Sequence, residues 1–132
     1  MKKAGLILGL VLILGACQAK PNQTVKEADA PENGVVTLVV DTGEKVATYS
    51  GQVNNSTSVL EFLSSIAEAN AVDLETKVYD FGIMVESIGG KKNTAERAWI
   101  YFVNGQAGEV GAGEKQLIKG DVVEWKYITP IY

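Results

Sequence analysis

One segment of the sequence has the spacing of an amphipathic helix, and it restricts the folds open to the rest of the chain. Ser58 and Glu61 form a capping box, which begins a helix by satisfying free backbone amides, and Asn70 is placed to end it. Between them an apolar stripe recurs at helical spacing, on Val59, Leu60, Leu63, Ile66 and Ala67. A single short helix cannot cover both faces of a parallel sheet. The sequence therefore predicts an α+β fold of the β-grasp kind, with one helix packed on a mixed, curved sheet.

Strand patterns lie on both sides of this helix and are separated by turn signals. Residues 35–40 form a β-branched run, and residues 45–50 alternate like the second strand of a hairpin. The other predicted strands are residues 76–79, 83–88, 98–103 and 122–128. Asn104-Gly105 is a hairpin turn signal. The predicted loops are residues 51–55, 89–93 and 106–114.

The first 16 residues have the layout of a signal peptide. Lys2 and Lys3 form a positive start, and residues 4–16 are an uncharged run of 13 residues, too short to span a bilayer. The run ends in Leu-Gly-Ala before Cys17, which resembles a bacterial lipobox. The resemblance implies a diacylglyceryl group on Cys17, acylation such as palmitate, and anchoring on the extracytoplasmic face of the cell membrane. The alternatives are an ordinary secretory leader with a chance cysteine, or an uncleaved helical anchor.

The rest of the composition restricts the function. Residues 17–34 predict a flexible tether, since Val25 is their only large aliphatic residue, and residues 35–132 are predicted to form one domain. Without the leader the chain holds 10 basic and 16 acidic side chains, a balance of −6 that is unsuited to nucleic acid. The sequence has one cysteine and no histidine. We therefore expect no intrachain disulfide, no built-in metal site and no catalytic residue.

Most of the predicted domain resembles a known family. The matching segments are Ser-Val-Leu-Glu-Phe-Leu at 58–63, Tyr-x-Phe-Gly-Ile-x-Val-x-Ser-Ile-Gly-Gly at 79–90, Ala-Trp-Ile-Tyr-Phe-Val-Asn-Gly at 98–105 and Leu-Ile-Lys-Gly-Asp-Val-Val-Glu-Trp-Lys-Tyr at 117–127. They resemble the transcobalamin-like C-terminal domain, a bacterial domain of unknown function related to the C-terminal domain of transcobalamin and intrinsic factor. The resemblance implies a β-grasp-like fold of the ligand-binding type, with cobalamin as the ligand in the vertebrate carriers.

The same resemblance indicates candidate ligand-binding residues. The strand that holds Trp99 and Tyr101 matches the family's aromatic strand, and residues 106–111 match the segment that approaches the ligand. The candidates are Phe81, Trp99, Tyr101, Gln106, Glu109 and Val110. Trp99 and Tyr101 share one face of their strand, which either is open to a large planar ligand or a protein partner or packs in the core. Glu109 either orients a ligand or is simply solvated.

Two functions fit these observations. The first is a membrane-anchored lipoprotein whose domain binds cobalamin or a similar large cofactor and delivers it to a transporter or shares it with a second binding protein. The second is a non-catalytic protein-interaction or cell-envelope structural module without a small-molecule ligand. Both hypotheses describe a protein that is not an enzyme and has no built-in cofactor. In both, the lipid on Cys17 makes the contact with the membrane.

Overall fold

The computed structural model describes residues 33–130. The predicted signal peptide, residues 1–16, lies outside the described residues, as do Cys17 and the predicted tether up to residue 32. Within residues 33–130 no helix has the length and apolar character that crossing a membrane requires.

Eight strands and one helix follow one another along the described chain. Their bounds are β1 (Gly34–Asp41), β2 (Val46–Val53), α1 (Val59–Ala69), β3 (Leu74–Tyr79), β4 (Gly82–Ile88), β5 (Lys91–Lys92), β6 (Ala98–Val103), β7 (Gln106–Ala107) and β8 (Val122–Ile128). The predicted order of two strands, one helix and several further strands is confirmed. The strands predicted at 98–103 and 122–128 have the predicted bounds.

The strands form two sheets. The larger has five strands in the order β2-β1-β8-β6-β7 and is mixed, because β1 runs parallel to β8 while its other pairs are antiparallel. The predicted α+β class is confirmed, with a separate antiparallel sheet of order β3-β4-β5 in addition. Gly89 and Gly90 both have positive φ, which favours glycine, and they turn the chain so that β5 pairs back onto β4.

Helix α1 begins as its capping box predicts. The Ser58 hydroxyl accepts from the Glu61 amide at 3.1 Å, and the Glu61 carboxylate accepts from the Ser58 amide at 2.9 Å. The predicted apolar stripe is buried, and Phe62 widens it. Phe62 lies over β2 at Gly51, where a Cβ would come within 2.9 Å of the ring. The core therefore lies between the helix and one face of the five-stranded sheet.

Three segments that were predicted as loops contain strand residues. β2 continues through Gly51 to Val53, because the glycine lets the strand pass beneath the Phe62 ring. β5 lies within residues 89–93, and β7 lies within residues 106–114. Strands of two residues leave no periodic pattern in a sequence, which is why the loop predictions that contain β5 and β7 were wrong. β1 spans Gly34–Asp41, one residue longer at each end than the strand predicted at residues 35–40.

Candidate functional site

The pairing of β6 with β8 brings four aromatic side chains together. Trp99 lies opposite Tyr127, and Tyr101 lies opposite Trp125, with ring centroids 5.3 Å and 5.5 Å apart respectively. Trp99 is 4% exposed and Tyr101 is 7% exposed. Of the two alternatives that the sequence left open, the structure shows the buried one, in which this face of the strand belongs to the core.

Three of these four rings, those of Trp99, Tyr101 and Trp125, nevertheless form walls of two adjoining clefts. The first, called the apolar cleft, has a volume of about 360 Å³. It is lined by Phe81, Gly82, Ile83, Met84, Val85, Trp99, Ile100, Tyr101, Gly108, Gly111, Ala112, Gly113, Glu114 and Trp125. The second, called the polar cleft, has a volume of about 920 Å³. It is lined by Tyr101, Val103, Asn104, Gln106, Ala107, Gly108, Glu109, Val110, Lys115, Gln116, Ile118 and Asp121.

Tyr101 and Gly108 line both clefts and form the partition between them. The Gly108 amide donates to the Tyr101 carbonyl at 3.1 Å, and the Tyr101 hydroxyl donates to the Val110 carbonyl. A Cβ on Gly108 would overlap the Tyr101 ring, so only glycine allows the loop to lie this close. The contact holds residues 108–110 against a ring that is itself anchored in the core.

The phenol of Tyr101 is suited to remain a hydrogen-bond donor. Burial raises the pKa of Tyr101 above its ordinary value of 10.0. The negative charge of Glu114 raises this pKa further. The neutral hydroxyl therefore keeps its bond to Val110 at every physiological pH.

The apolar cleft has aromatic rings at its base and an exposed hairpin at its rim. The Trp99 indole donates to the Lys91 carbonyl at 2.7 Å, whereas Trp125 Nε1 is buried and has no hydrogen-bond partner among residues 33–130. Phe81, at the turn between β3 and β4, is 71% exposed and stacks on Tyr79 at 5.1 Å. This cleft therefore offers a flat apolar surface, and of its two indole N–H groups only that of Trp125 lacks a partner among residues 33–130.

The polar cleft contains both fixed and exposed polar side chains. The Asp121 carboxylate accepts from the Asn104 side chain and from the Ile118 amide, each at 2.9 Å, so these two side chains hold the turns together. Gln106, Glu109 and Lys115 are exposed. They present an amide, a carboxylate and an ammonium group, which can form hydrogen bonds with a polar ligand or partner.

The structure places all six candidate residues at these clefts. Phe81 and Trp99 line the apolar cleft, Gln106, Glu109 and Val110 line the polar cleft, and Tyr101 lines both. Among the lining residues that the sequence prediction missed are Gly108, Ile83 and Met84. The glycines near position 108 were a signal of close backbone approach. For Ile83 and Met84 the strand alternation gave no sign that the β3–β4 hairpin flanks β6.

The described residues show no prearranged metal centre. Within residues 33–130 there is no group of three or more His, Cys, Asp or Glu side chains that could hold a metal ion.

A family model, described as Domain of unknown function (DUF4430), matches residues 56–129. The chain belongs to this family. The matched span runs from just before α1 to just after β8 and contains every residue that lines the two clefts. No curated protein sequence matches the chain.

Two solved structures show the same fold at low sequence identity. Haptocorrin in complex with Cbi matches 76% of this chain with a TM-score of 0.71 at 15% identity, and this chain spans 26% of the haptocorrin chain. A proposed metal-binding protein from Ruminococcus gnavus matches 74% of this chain with a TM-score of 0.56 at 12% identity. The match covers 99% of that protein's own chain. The predicted resemblance to the transcobalamin-like domain is confirmed for family and fold.

Proposed function

We propose that this domain binds cobalamin or a similar large cofactor across the apolar and polar clefts. The observation that carries the proposal is that two clefts of different chemistry adjoin at a single ring, Tyr101. A macrocycle edged with amide groups can lay its flat surface against the aromatic wall and direct its amides toward Gln106 and Glu109. The similarity of the fold to haptocorrin, whose structure contains Cbi, supports the same class of ligand.

A second protein is part of this proposal. The chain spans 26% of the haptocorrin chain, and both clefts of this domain are open on their outer side. We propose that a transporter or a second binding protein covers the exposed side of the ligand. A partner held at the same membrane would raise the effective concentration and offset modest affinity of the isolated domain.

We further propose that the protein is a lipoprotein on the extracytoplasmic face of the cell membrane. The support is the lipobox-like sequence before Cys17. Two or three acyl chains hold a protein stably at a bilayer, whereas one chain is marginal. A Cys17→Ala variant of the full chain should lose leader processing and leave the membrane fraction. Unchanged processing and fractionation would contradict the anchor.

We propose binding rather than catalysis for the two clefts. Asn104 and Asp121 are engaged in holding turns, and the Tyr101 hydroxyl is engaged with Val110. A general acid or base needs a group free to exchange a proton with substrate, and these three polar groups are committed to the fold. Glu109 and Lys115 are exposed, and we assign them to contacts with the ligand or partner.

Cobalamin titration tests the proposed ligand directly. The chain has two tryptophans, Trp99 and Trp125, and both line the apolar cleft, so intrinsic fluorescence reports on this cleft. We expect saturable quenching by cobalamin and a matching heat in calorimetry. Gly108→Ala should weaken binding because the new methyl displaces the Tyr101 ring. Ser50→Ala, at an exposed position on β2 that lines neither cleft, is the control and should leave binding unchanged. No quenching and no heat up to about 1 mM cobalamin would contradict the proposal.

One observation favours the alternative of a protein-interaction module. Several large apolar side chains are exposed around the β3–β4 turn, namely Val78, Phe81, Ile83 and Met84. Exposed apolar groups that cluster in this way are typical of protein contact surfaces. If cobalamin does not bind while Phe81→Ser abolishes association with a partner, the interaction module becomes the better description.

A further inference from the structure

Among the strand edges of residues 33–130, the outer edge of β2 is the least protected against pairing with another strand. β2 lies at one end of the five-stranded sheet and pairs with β1 over eight consecutive residue pairs without a register shift. Within the described residues, no other backbone hydrogen bond reaches β2. The backbone N–H and C=O groups on its outer side are therefore available to a further strand.

The outer edges of β3, β5 and β7 carry features that oppose such pairing. Where β6 extends beyond β7, the Asn93 side chain already accepts from the Trp99 amide. β3 contains Glu75 and Lys77, and its register shifts between Glu75 and Thr76. β5 consists of Lys91 and Lys92, and β7 has only two residues. Charged side chains, bulges and short length are the usual means by which proteins block edge-to-edge association. β2, with the sequence VATYSGQV, has no charge, no proline and no bulge.

We propose that β2 pairs in antiparallel fashion with β2 of a second copy of this chain, across a two-fold axis. Such an interface is isologous, so each copy contributes the same eight residues. Residues that face one another in an antiparallel pair lie on the same face of the sheet, and like charges placed opposite each other destabilise the pair. β2 contains no charged residue. No register within β2 therefore brings two like charges together.

The chain's own N-terminal segment is a poorer partner for this edge. Residues 18–32 contain two prolines and five charged residues, and their longest stretch free of both is residues 22–25. Proline has no N–H to donate to the ladder. A second β2 offers eight uncharged residues instead of four.

The proposed dimer leaves the two clefts accessible. β2 lies at one end of the strand order, whereas β6 and β7, which line the clefts, lie at the other end. Pairing through β2 would join two five-stranded sheets into one continuous sheet with a pair of clefts at each end. The dimer therefore does not depend on the proposed ligand, and either proposal can fail alone.

Cysteine cross-linking in the full-length, membrane-bound chain tests the dimer. Thr48, Ser50 and Gln52 are exposed on the same face of β2. Each is replaced by cysteine in turn, and the single-substitution variants are examined alone and mixed two at a time. Mild oxidation then forms a disulfide wherever two cysteines face one another. Directly opposite Cβ atoms lie about 5 Å apart in a sheet, close enough for a disulfide after slight adjustment. We expect at least one variant to shift from the monomer to the dimer mass on a non-reducing gel. Thr76→Cys on β3 and the unaltered chain, which holds only Cys17, are the controls and should stay monomeric.

A charge on the edge provides the second measurement. Val46→Lys, at a position 65% exposed on β2, is added to the variant that cross-links best. It should abolish the dimer band, while Val78→Lys, at a position 76% exposed on β3, should leave the band unchanged. The proposal is overturned if no β2 cysteine cross-links above the Thr76→Cys level, or if Val46→Lys leaves the dimer intact.

Discussion

At Gly108 the backbone of one loop lies directly against the ring of Tyr101. The ring is fixed from below by its packing against Trp125 and from above by the bond to the Val110 carbonyl. The loop has glycine at the one position where a side chain would meet this ring. The side chains of Tyr101 and Trp125, together with Gly108, therefore determine where the apolar cleft ends and the polar cleft begins.

Replacement of Gly108 by alanine should destabilise the protein. The new methyl group must displace either the loop or a buried ring, and overpacking of this kind costs about 1–3 kcal/mol of unfolding free energy. Gly111→Ala should stay within about 0.5 kcal/mol of the unaltered protein, because its methyl meets open space. Urea denaturation of both variants measures the difference. Equal stabilities would show that the Gly108 contact with Tyr101 is not tight.

Tyr101 should also make the stability of the protein fall at alkaline pH. Its pKa is raised in the folded protein, chiefly by burial, so the folded state holds this proton more tightly than the unfolded state. The contribution is complete below the ordinary value of 10.0 and is lost as the pH rises through the folded value. Urea denaturation above pH 10 should show a decline that is shallower in Tyr101→Phe by up to about 1.4 kcal/mol per pH unit. An identical slope in the variant would contradict this assignment.

At the scale of elements, the stability of α1 depends on the hydrogen bonds that cap its first turn. The capping box of Ser58 and Glu61 satisfies two amides that the helix itself leaves unpaired. Ser58→Ala should lower the unfolding free energy by about 1 kcal/mol, measured by thermal or urea denaturation. Ser64→Ala, which removes an exposed hydroxyl that donates to the Leu60 carbonyl, is the matched control and should cost less than about 0.5 kcal/mol. A larger loss at Ser64 than at Ser58 would refute the capping argument.

The elements that could be predicted from the sequence are those with a repeating pattern. α1 was located from its helical spacing and β8 from its alternation. β1 was located from its run of β-branched residues, and β6 from the turn signal that follows it. β5 and β7 have two residues each and depend on the tertiary pairing that forms around them. The division into two sheets also escaped prediction, because it depends on which strands pair and not on any local pattern.

The same distinction holds for the candidate site. Alternation placed Trp99 and Tyr101 on one face, but the sequence could not decide whether that face was covered. The contribution of Ile83 and Met84 to the apolar cleft depends on the β3–β4 hairpin lying beside β6, a contact between distant segments. Local patterns contain no information on such a contact, so the rim of the cleft could be found only in the structure.

At the scale of the whole molecule, the two ends of the five-stranded sheet differ in character. One end has the uncharged edge of β2, and the other has the clefts around Tyr101 and Gly108. The helix covers the face between them and supplies much of the core. This arrangement separates a surface suited to pairing with another strand from a surface suited to a ligand.

Nuclear magnetic resonance of the isotope-labelled protein during cobalamin addition tests most directly whether the ligand lies across Tyr101 and Gly108. The account predicts that the indole N–H signals of Trp99 and Trp125 shift together with the backbone amides of residues 106–116, while the amides of β2 stay in place. Shifts confined to β2 or α1, or no shift at saturating cobalamin, would contradict it.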